Sequence, residues 1–238
     1  NFFKSKKIIN NNFSLSQIQP SSVDLTLSEE CYEINASFLS PTNYVRDNLK
    51  KIKIKRVNLN KKYIFKKNKT FLIKLNETLN LKDNFFGMCN PKSSTGRLDI
   101  FCRTILNCSD EYEKIPLNYK GEMFIEITSR SFDIEFQKGD SLNQMRLISN
   151  KHLYVRDNEL ELIHKKTFLT LDEDGKKTQP YISNGLKIGV DLSYNSLINA
   201  YVAKKKSPPL CYRKIKSHKI NDFWKPLKSL DGKLIIEK

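Results

Sequence analysis

Residues 123–128 read Met-Phe-Ile-Glu-Ile-Thr, a run of apolar and β-branched side chains with one carboxylate inside it. Successive side chains of a strand point to opposite faces, so Met123, Ile125 and Ile127 share one face and Phe124, Glu126 and Thr128 the other. The same two-residue period recurs on both sides, at Lys51 to Val57 (KIKIKRV), Phe71 to Leu75 (FLIKL), Phe132 to Phe136 (FDIEF), Gln144 to Ile148 (QMRLI) and Leu186 to Leu192 (LKIGVDL). This is the pattern of strands with a buried face. Turn-forming pairs separate the segments, among them Asn90-Pro91, Lys120-Gly121, Lys138-Gly139 and Asp174-Gly175. Helical spacing is confined to a turn or two at Asn43 to Leu49 and a remnant before Gln19. The sequence predicts a mainly β protein of sandwich, jelly-roll or barrel type and argues against a parallel α/β sheet.

The 238 residues are 39% apolar and 11% aromatic, enough to build one large core or two smaller ones. No run approaches the roughly 18 apolar residues that cross a bilayer, and the opening NFFKSKKIINNN has no apolar segment of the secretory kind. A cytoplasmic protein without membrane contact is expected. The first residue is Asn and the last is a Lys just after Leu234-Ile235-Ile236-Glu237, so both ends are expected to be cut from a longer chain. Cys31, Cys89, Cys102, Cys108 and Cys211 form no C-x-x-C pair and read as reduced, mostly buried thiols. The net charge of +16 attracts polyanions. Its lysines are dispersed among Asn, Ile and Phe, so a solvated surface and a phosphorylated small ligand fit better than a specific nucleic-acid site.

Leu171 to Pro180, LDEDGKKTQP, is polar with an Asp-Gly turn and a proline, which divides the chain into residues 1–170 and 171–238. The second part faintly repeats the first. Val190-Asp191-Leu192 echoes Val23-Asp24-Leu25, and Lys233 to Ile236 echoes Lys62 to Phe65, so residues 171–238 read as the start of an incomplete second unit.

Two features carry chemistry. Asn90 to Phe101, NPKSSTGRLDIF, packs a lysine, three hydroxyls, a glycine and an arginine into a turn suited to anionic oxygens. The spacing is not that of a Walker A loop, and a plain polar turn between strands fits the same residues equally well. The second feature is Glu126. An exposed strand glutamate is the ordinary reading, and a carboxylate in a partly dry pocket that shuttles a proton is the other.

The order IQPSSVDL (Ile18 to Leu25), PKSSTGRLDIF (Pro91 to Phe101), NYKGEMFIEI (Asn118 to Ile127) and GDSLNQMRL (Gly139 to Leu147) resembles the successive motifs of bacterial dCTP deaminases, relatives of trimeric dUTPases, and most resembles their longer, duplicated form. The resemblance implies a dUTPase-like distorted jelly-roll (β-clip) with a partial second β domain. It implies Glu126 as general base, and Ser93 and Arg97 as the groups that orient the water and compensate charge. It extends the triphosphate-binding element over Lys92, Ser93, Ser94, Thr95, Gly96 and Arg97. It sets Phe124 and Ile125 along the cytosine edge through their backbone, Tyr119 beside the deoxyribose, Gln144 near the base, and Asp24 in a structural role or at magnesium-bound water. Mg²⁺ is implied to ride on the triphosphate of dCTP or dUTP. A homotrimer is implied in which Glu126 of one subunit faces Ser93 or Arg97 of another.

Zinc chemistry would need H-x-E with P-C-x-x-C, and none of His152, His164 or His218 is followed two positions later by Glu. The expected reaction is therefore a zinc-free deamination. Pro116 stands where many relatives carry an aspartate that dUTPases use to activate water, which argues against dUTP hydrolysis. The basic segment CYRKIKSHK (Cys211 to Lys219) is expected to be a solvated loop, with a phosphate-covering role as the alternative. A dUTP pyrophosphatase or bifunctional enzyme is the enzymatic rival, and a β module that binds nucleotide or nucleic acid without turnover is the non-enzymatic one.

Overall fold

A computed structural model describes residues 7–10, 13–149, 155–172, 174–188, 198 and 200–227. The MFIEIT segment lies inside the strand Lys120–Ser129, next to the centre of a six-stranded sheet. The order across that sheet is Lys53–Asn58, Leu27–Ile34, Thr70–Asn80, Lys120–Ser129 and Ile100–Leu106, with Ile8–Ile9 paired to the end of Thr70–Asn80. All of these pairings are antiparallel. The fold is mainly β, as the alternation predicts.

A second sheet runs Val23–Leu25, Asn143–Ser149, Phe85–Pro91, Lys114–Ile115. It needs a glycine at position 87, because a Cβ there would lie 2.5 Å from the Arg146 carbonyl oxygen of the neighbouring strand. A third, small sheet joins Tyr63–Phe65, Ile134–Phe136 and Leu210–Cys211, the last pairing parallel. The main core lies between these layers. It gathers Met123, Ile125 and Ile127 with Leu27, Ile73, Leu75 and an aromatic group in which Phe65 stacks on Phe71 at 4.2 Å and meets Phe136 edge-on at 5.0 Å.

The opposite face of the large sheet is also covered. The helix Val45–Ile52 lays Val45 and Leu49 over Ile34, Leu72, Ile105 and Phe124, forming a second core cluster. Its apolar residues recur at i, i+4 and i+7, the spacing of one helix face. The helix starts and ends later than the Asn43 to Leu49 expectation and takes Lys51 and Ile52 from the expected strand. This cover buries Phe124 fully, and Glu126 farther along the same strand face is only 1% exposed. The solvated reading of Glu126 is thereby corrected, because its carboxylate is buried against Arg103 and Ser37.

Contacts divide the chain into residues 1–150 with 201–225, and 151–200 with 226–238. The division differs from the expected break at 170, because residues 201–225 return to the first unit. In the second unit, Leu171–Pro180 begins as a tight turn, with Leu171 bridged to Lys177 and the Lys176 amide donating to Asp172 Oδ1 at 2.7 Å. That unit also holds the hairpin Tyr181–Ile182/Leu186–Lys187, whose turn amides at Asn184 and Gly185 both donate to Asp157 at 2.8 Å. The helix Asp157–Thr167 was not expected from the sequence. It buries no residue, and it is stabilised by acidic residues in its first turn, basic ones in its last, and Glu159 accepting from the Arg156 amide at 2.8 Å. The echoes at Val190-Asp191-Leu192 and Lys233 to Ile236 lie outside the described residues. No disulfide forms among the five cysteines, three of which are buried. No helix among the described residues is long and apolar enough to cross a membrane.

Candidate active site

The Lys92–Arg97 turn is delivered by the strand Phe85–Pro91 and closes into a single helical turn, Ser93–Arg97. Its anchors are internal. The Lys92 amide donates to the Leu142 carbonyl at 3.0 Å, and the hydroxyl of fully buried Thr95 donates to the same oxygen at 2.8 Å. Thr95 therefore holds the turn in place rather than facing a ligand. Ser93, Ser94, Gly96 and Arg97 are exposed around it. Lys92 pairs with the side chain of Asp24, whose second oxygen, Oδ1, is buried without a partner.

Glu126 is built differently. It stands directly opposite Arg103 in the pairing of Lys120–Ser129 with Ile100–Leu106. Its Oε1 accepts from Arg103 Nε and from Ser37 Oγ, each at 3.0 Å, and Arg103 Nη2 lies 3.0 Å from the same oxygen as an ion pair. Its Oε2 is buried with no hydrogen-bond partner. The guanidinium of Arg103 is held flat by aromatic rings, 3.7 Å from the centroid of Tyr112 and 5.1 Å from that of Phe101. Arg103 and Ser37 were not singled out from the sequence. The readable signal was the antiparallel pairing of FCRTIL with MFIEIT, which sets a cation opposite the carboxylate.

Behind Arg103, Glu113 accepts from the Thr104 amide at 3.1 Å and from Asn143 Nδ2 at 3.2 Å, while burial pushes its carboxyl above the usual range. Asn143 also accepts from the Gln144 amide at 2.8 Å, which fixes the strand that carries Gln144.

Three cavities surround the turn. One of about 550 Å³ is lined by Glu126, Arg103, Ser37, Thr70, Arg130 and, from the turn, Gly96. A second of about 390 Å³ is lined by Ser93, Ser94, Lys92, Asp24, Gln144 and Arg146, with Ser22 Oγ donating to Gln144 Oε1 at 3.0 Å. The largest, about 740 Å³, is lined by Lys92, Ser94, Arg97 and residues of the segment 210–224. Within one chain the turn therefore meets the Glu126 cavity through Gly96, while Ser93 and Arg97 line other cavities.

Three of the expected site residues serve the framework of the fold. Phe124 and Ile125 lie inside a strand paired on both sides, opposite Lys74 and Ile73 on one neighbour and Ile105 and Thr104 on the other. Their backbone groups belong to the ladders that hold the strand carrying Glu126. Tyr119 is 8% exposed, and its hydroxyl donates to the Glu122 carbonyl at 2.7 Å and accepts from the Asn107 amide at 3.2 Å. Burial pushes that hydroxyl up to about 12, and a Cβ at Gly121 would approach it to 2.8 Å, so it serves the hairpin.

Among the described residues no group of three or more His, Cys, Asp or Glu is placed to hold a metal ion by itself. Asp24 Oδ1, a single orphaned carboxylate oxygen beside the turn, suits contact with an ion already carried by phosphates. Chemically, the arrangement offers one dry carboxylate beside a turn of hydroxyls and cations.

The family model described as the 2'-deoxycytidine 5'-triphosphate deaminase (DCD) N-terminal domain matches residues 1–151, and that of the C-terminal domain matches residues 156–238. Among solved structures, the 2'-deoxycytidine 5'-triphosphate deaminase of Agrobacterium tumefaciens is similar at 31% identity with a TM-score of 0.86, over 96% of this chain and 68% of that one. The EIAV dUTPase is similar at 13% identity with a TM-score of 0.36, over 63% of this chain and 96% of that one. No curated protein matches closely enough to count as a relative. With the two domain models together spanning nearly its whole length, the chain belongs to the dCTP deaminase family.

Proposed function

We propose that this protein deaminates dCTP to dUTP and ammonia, with Glu126 as the general base and without zinc. The observation that carries the reading is the buried Glu126 carboxylate, one oxygen saturated by Arg103 and Ser37 and the other unpartnered, beside the cavity that reaches the turn at Gly96. A buried carboxylate oxygen without a donor is costly, and a water in the cavity repays that cost by donating to it. Glu126 Oε2 takes a proton from that water, and the hydroxide adds to C4 of the cytosine ring. The proton passes to ring N3, the tetrahedral carbon re-forms its carbonyl, and the C4–N bond breaks as ammonia leaves with a proton. Arg103 fixes the rotamer of the carboxylate through its ion pair with Oε1. Ser93 and Arg97 orient the water and offset charge as it develops.

Lys92, Ser94 and Arg97 bind the triphosphate, and Gln144 lies toward the base. Mg²⁺ enters on the phosphates, where it neutralises charge. Because Ser93 and Arg97 line cavities other than that of Glu126 in one chain, the complete site needs a second copy, and a homotrimer sharing its sites is the assembly proposed. A nucleotide substrate of this kind assigns the work to the cytoplasm.

The test is to supply dCTP and dUTP separately with Mg²⁺ and follow ammonia and pyrophosphate. Ammonia from dCTP alone is expected. Pyrophosphate from dUTP would establish the pyrophosphatase rival, and binding without either product the non-catalytic one. Glu126→Gln should lower kcat by roughly 10³-fold, within the span attributed to positioned general bases, with dCTP still bound. Turnover close to wild type would reject Glu126 as the base.

A further inference from the structure

From Lys50 to Lys69 the chain carries ten cations and no acidic residue, and all ten side chains are exposed. The fold draws them to one rim. Lys53–Asn58 is the outermost strand of the large sheet, and Tyr63–Phe65 is the outermost strand of the small one. Glu33 links the first of these to the turn at 66–69, its Oε2 lying 3.0 Å from Lys55 Nζ and its Oε1 3.8 Å from Lys69 Nζ. Aromatic faces stand among the cations. Tyr32 and Tyr63 are half-buried, with Lys53 Nζ 5.9 Å from the centroid of the first ring and Lys55 Nζ 5.7 Å from that of the second.

The charge of this rim is not cancelled. Asp47 pairs with Lys50, Glu33 with Lys55 and Lys69, Glu135 with Lys62, and Asp133 with Lys66. Ten cations against four carboxylates leave an excess of six positive charges. Lys51, Lys53, Arg56, Lys61 and Lys67 form no ion pair among the described residues. Lysines on an outer strand deter pairing with other chains, but that duty ends with the strand. Lys61, Lys62, Lys66 and Lys67 lie beyond it in turns, so blunting an edge does not account for them. Crowded like charges repel, and a polyanion relieves them while shedding its own counterions.

We propose that the rim at residues 50–69 binds single-stranded nucleic acid through its phosphate backbone, as a function apart from nucleotide turnover. Cations interleaved with partly open aromatic rings suit a single strand, whose phosphates meet the charge and whose bases stack on the rings. A flexible strand can follow a ridge of side chains, which a stiff duplex does less well. Contacts to phosphate carry no base information, so this binding differs from the specific nucleic-acid site that the dispersed lysines argue against. None of the ten cations lines the cavities around the Lys92–Arg97 turn, so the inference needs nothing from the dCTP reading. The affinity expected is that of non-specific binding, a Kd of about 10⁻⁴ to 10⁻⁶ M at physiological salt.

The experiment titrates the full chain into a labelled single-stranded oligonucleotide of mixed sequence, about 20 nucleotides long, and follows its fluorescence anisotropy over a range of salt. Wild type is compared with Lys53→Gln/Arg56→Gln/Lys61→Gln, which removes three unpaired cations from the rim. A control, Lys165→Gln/Lys166→Gln/Lys187→Gln, removes the same charge from exposed positions outside it. The rim variant should bind about tenfold more weakly at low salt, and its slope of log K against log salt should be shallower by about two, at about 0.7 per phosphate contact. The control should change affinity less than threefold. Saturating dCTP with Mg²⁺ should leave the oligonucleotide bound. Absence of wild-type binding at about 50 mM salt overturns the proposal. Equal weakening by both variants also overturns it, since net charge alone would then be at work, and displacement by dCTP does so by placing the strand in the nucleotide site. Equal or tighter binding of the matching duplex overturns the single-strand assignment. Should the rim variant misfold, Lys61→Gln/Lys67→Gln, both outside the strand, gives the same comparison with a slope change of about 1.4.

Discussion

The strand around Glu126 and the turn around Arg97 both present charge to a cavity, yet they are built on opposite principles. Glu126 sits on a strand paired on both sides, with a core cluster under each face, and has its rotamer fixed by a cation clamped between rings. Arg97, Ser93 and Ser94 stand exposed on one helical turn whose rigidity comes from a single buried threonine. Proton transfer requires a group whose position and charge are set before substrate arrives. Phosphate binding requires several mobile cations that share a spread-out charge, and tolerates solvent. The contrast predicts that damage to the strand is felt as stability and turnover together, and damage to the turn as affinity and turnover with stability unchanged.

Arg103→Ala should show the largest effect on folding. It leaves a carboxylate that is 1% exposed without its cation, and breaking one side of a buried pair costs about 3 kcal/mol or somewhat more. Denaturant midpoints of Arg103→Ala, Glu126→Gln and the double variant give the coupling directly. The double variant should be more stable than Arg103→Ala alone, since no unpaired charge remains. Strict additivity would show that the two side chains act independently and would remove Arg103 from the site.

Arg97→Ala should give a smaller effect of another kind. KM for dCTP is expected to rise about tenfold, equivalent to about 1.4 kcal/mol, with the unfolding midpoint unchanged because the side chain supports nothing in the core. A shift in midpoint comparable to that of Arg103→Ala would erase the distinction between the two regions.

Which parts were legible in the sequence follows the same division. The alternation in MFIEIT and its neighbours reported strands correctly, because a period of two is a property of the backbone itself. The burial of Glu126 was not legible, since it depends on Arg103 from the neighbouring strand and on Ser37, which is 89 residues away in sequence. The structural work of Thr95, Tyr119 and Phe124 was not legible for a related reason. A motif tells which residues stand near a site, but not which of them spend their polar groups on the fold, and here Thr95 and Tyr119 hydrogen-bond backbone atoms of the protein itself. The helix Asp157–Thr167 escaped because it has no buried face to generate apolar periodicity. The segment 210–224 looked solvated because its lysines are, while the contacts that hold it come from Tyr212, Arg213 and Phe223 between them.

The strand carries its own control four residues before Glu126. Glu122 accepts from Arg46 Nε at 2.8 Å and pairs with Lys74 at 2.7 Å, and the Arg46 hydrogen bond, aided by Lys74 and opposed by partial burial, lowers its pKa from 4.5 to about 2. A carboxyl whose folded pKa is depressed stabilises the protein above its unfolded value and loses that contribution as pH falls through the folded one. Wild type should therefore lose stability between about pH 4.5 and pH 2 more steeply than Glu122→Gln, which keeps the side chain's shape without its titration. Glu122 and Arg46 stay 29% and 41% exposed, so the difference should be the smallest of those considered and should shrink with added salt. Urea midpoints at pH 7 and pH 3 measure it. Parallel pH dependence in the two proteins would mean that Arg46 is satisfied by Glu30 alone, to which it donates at 2.6 Å, and that the exposed end of the strand contributes nothing to its acid stability.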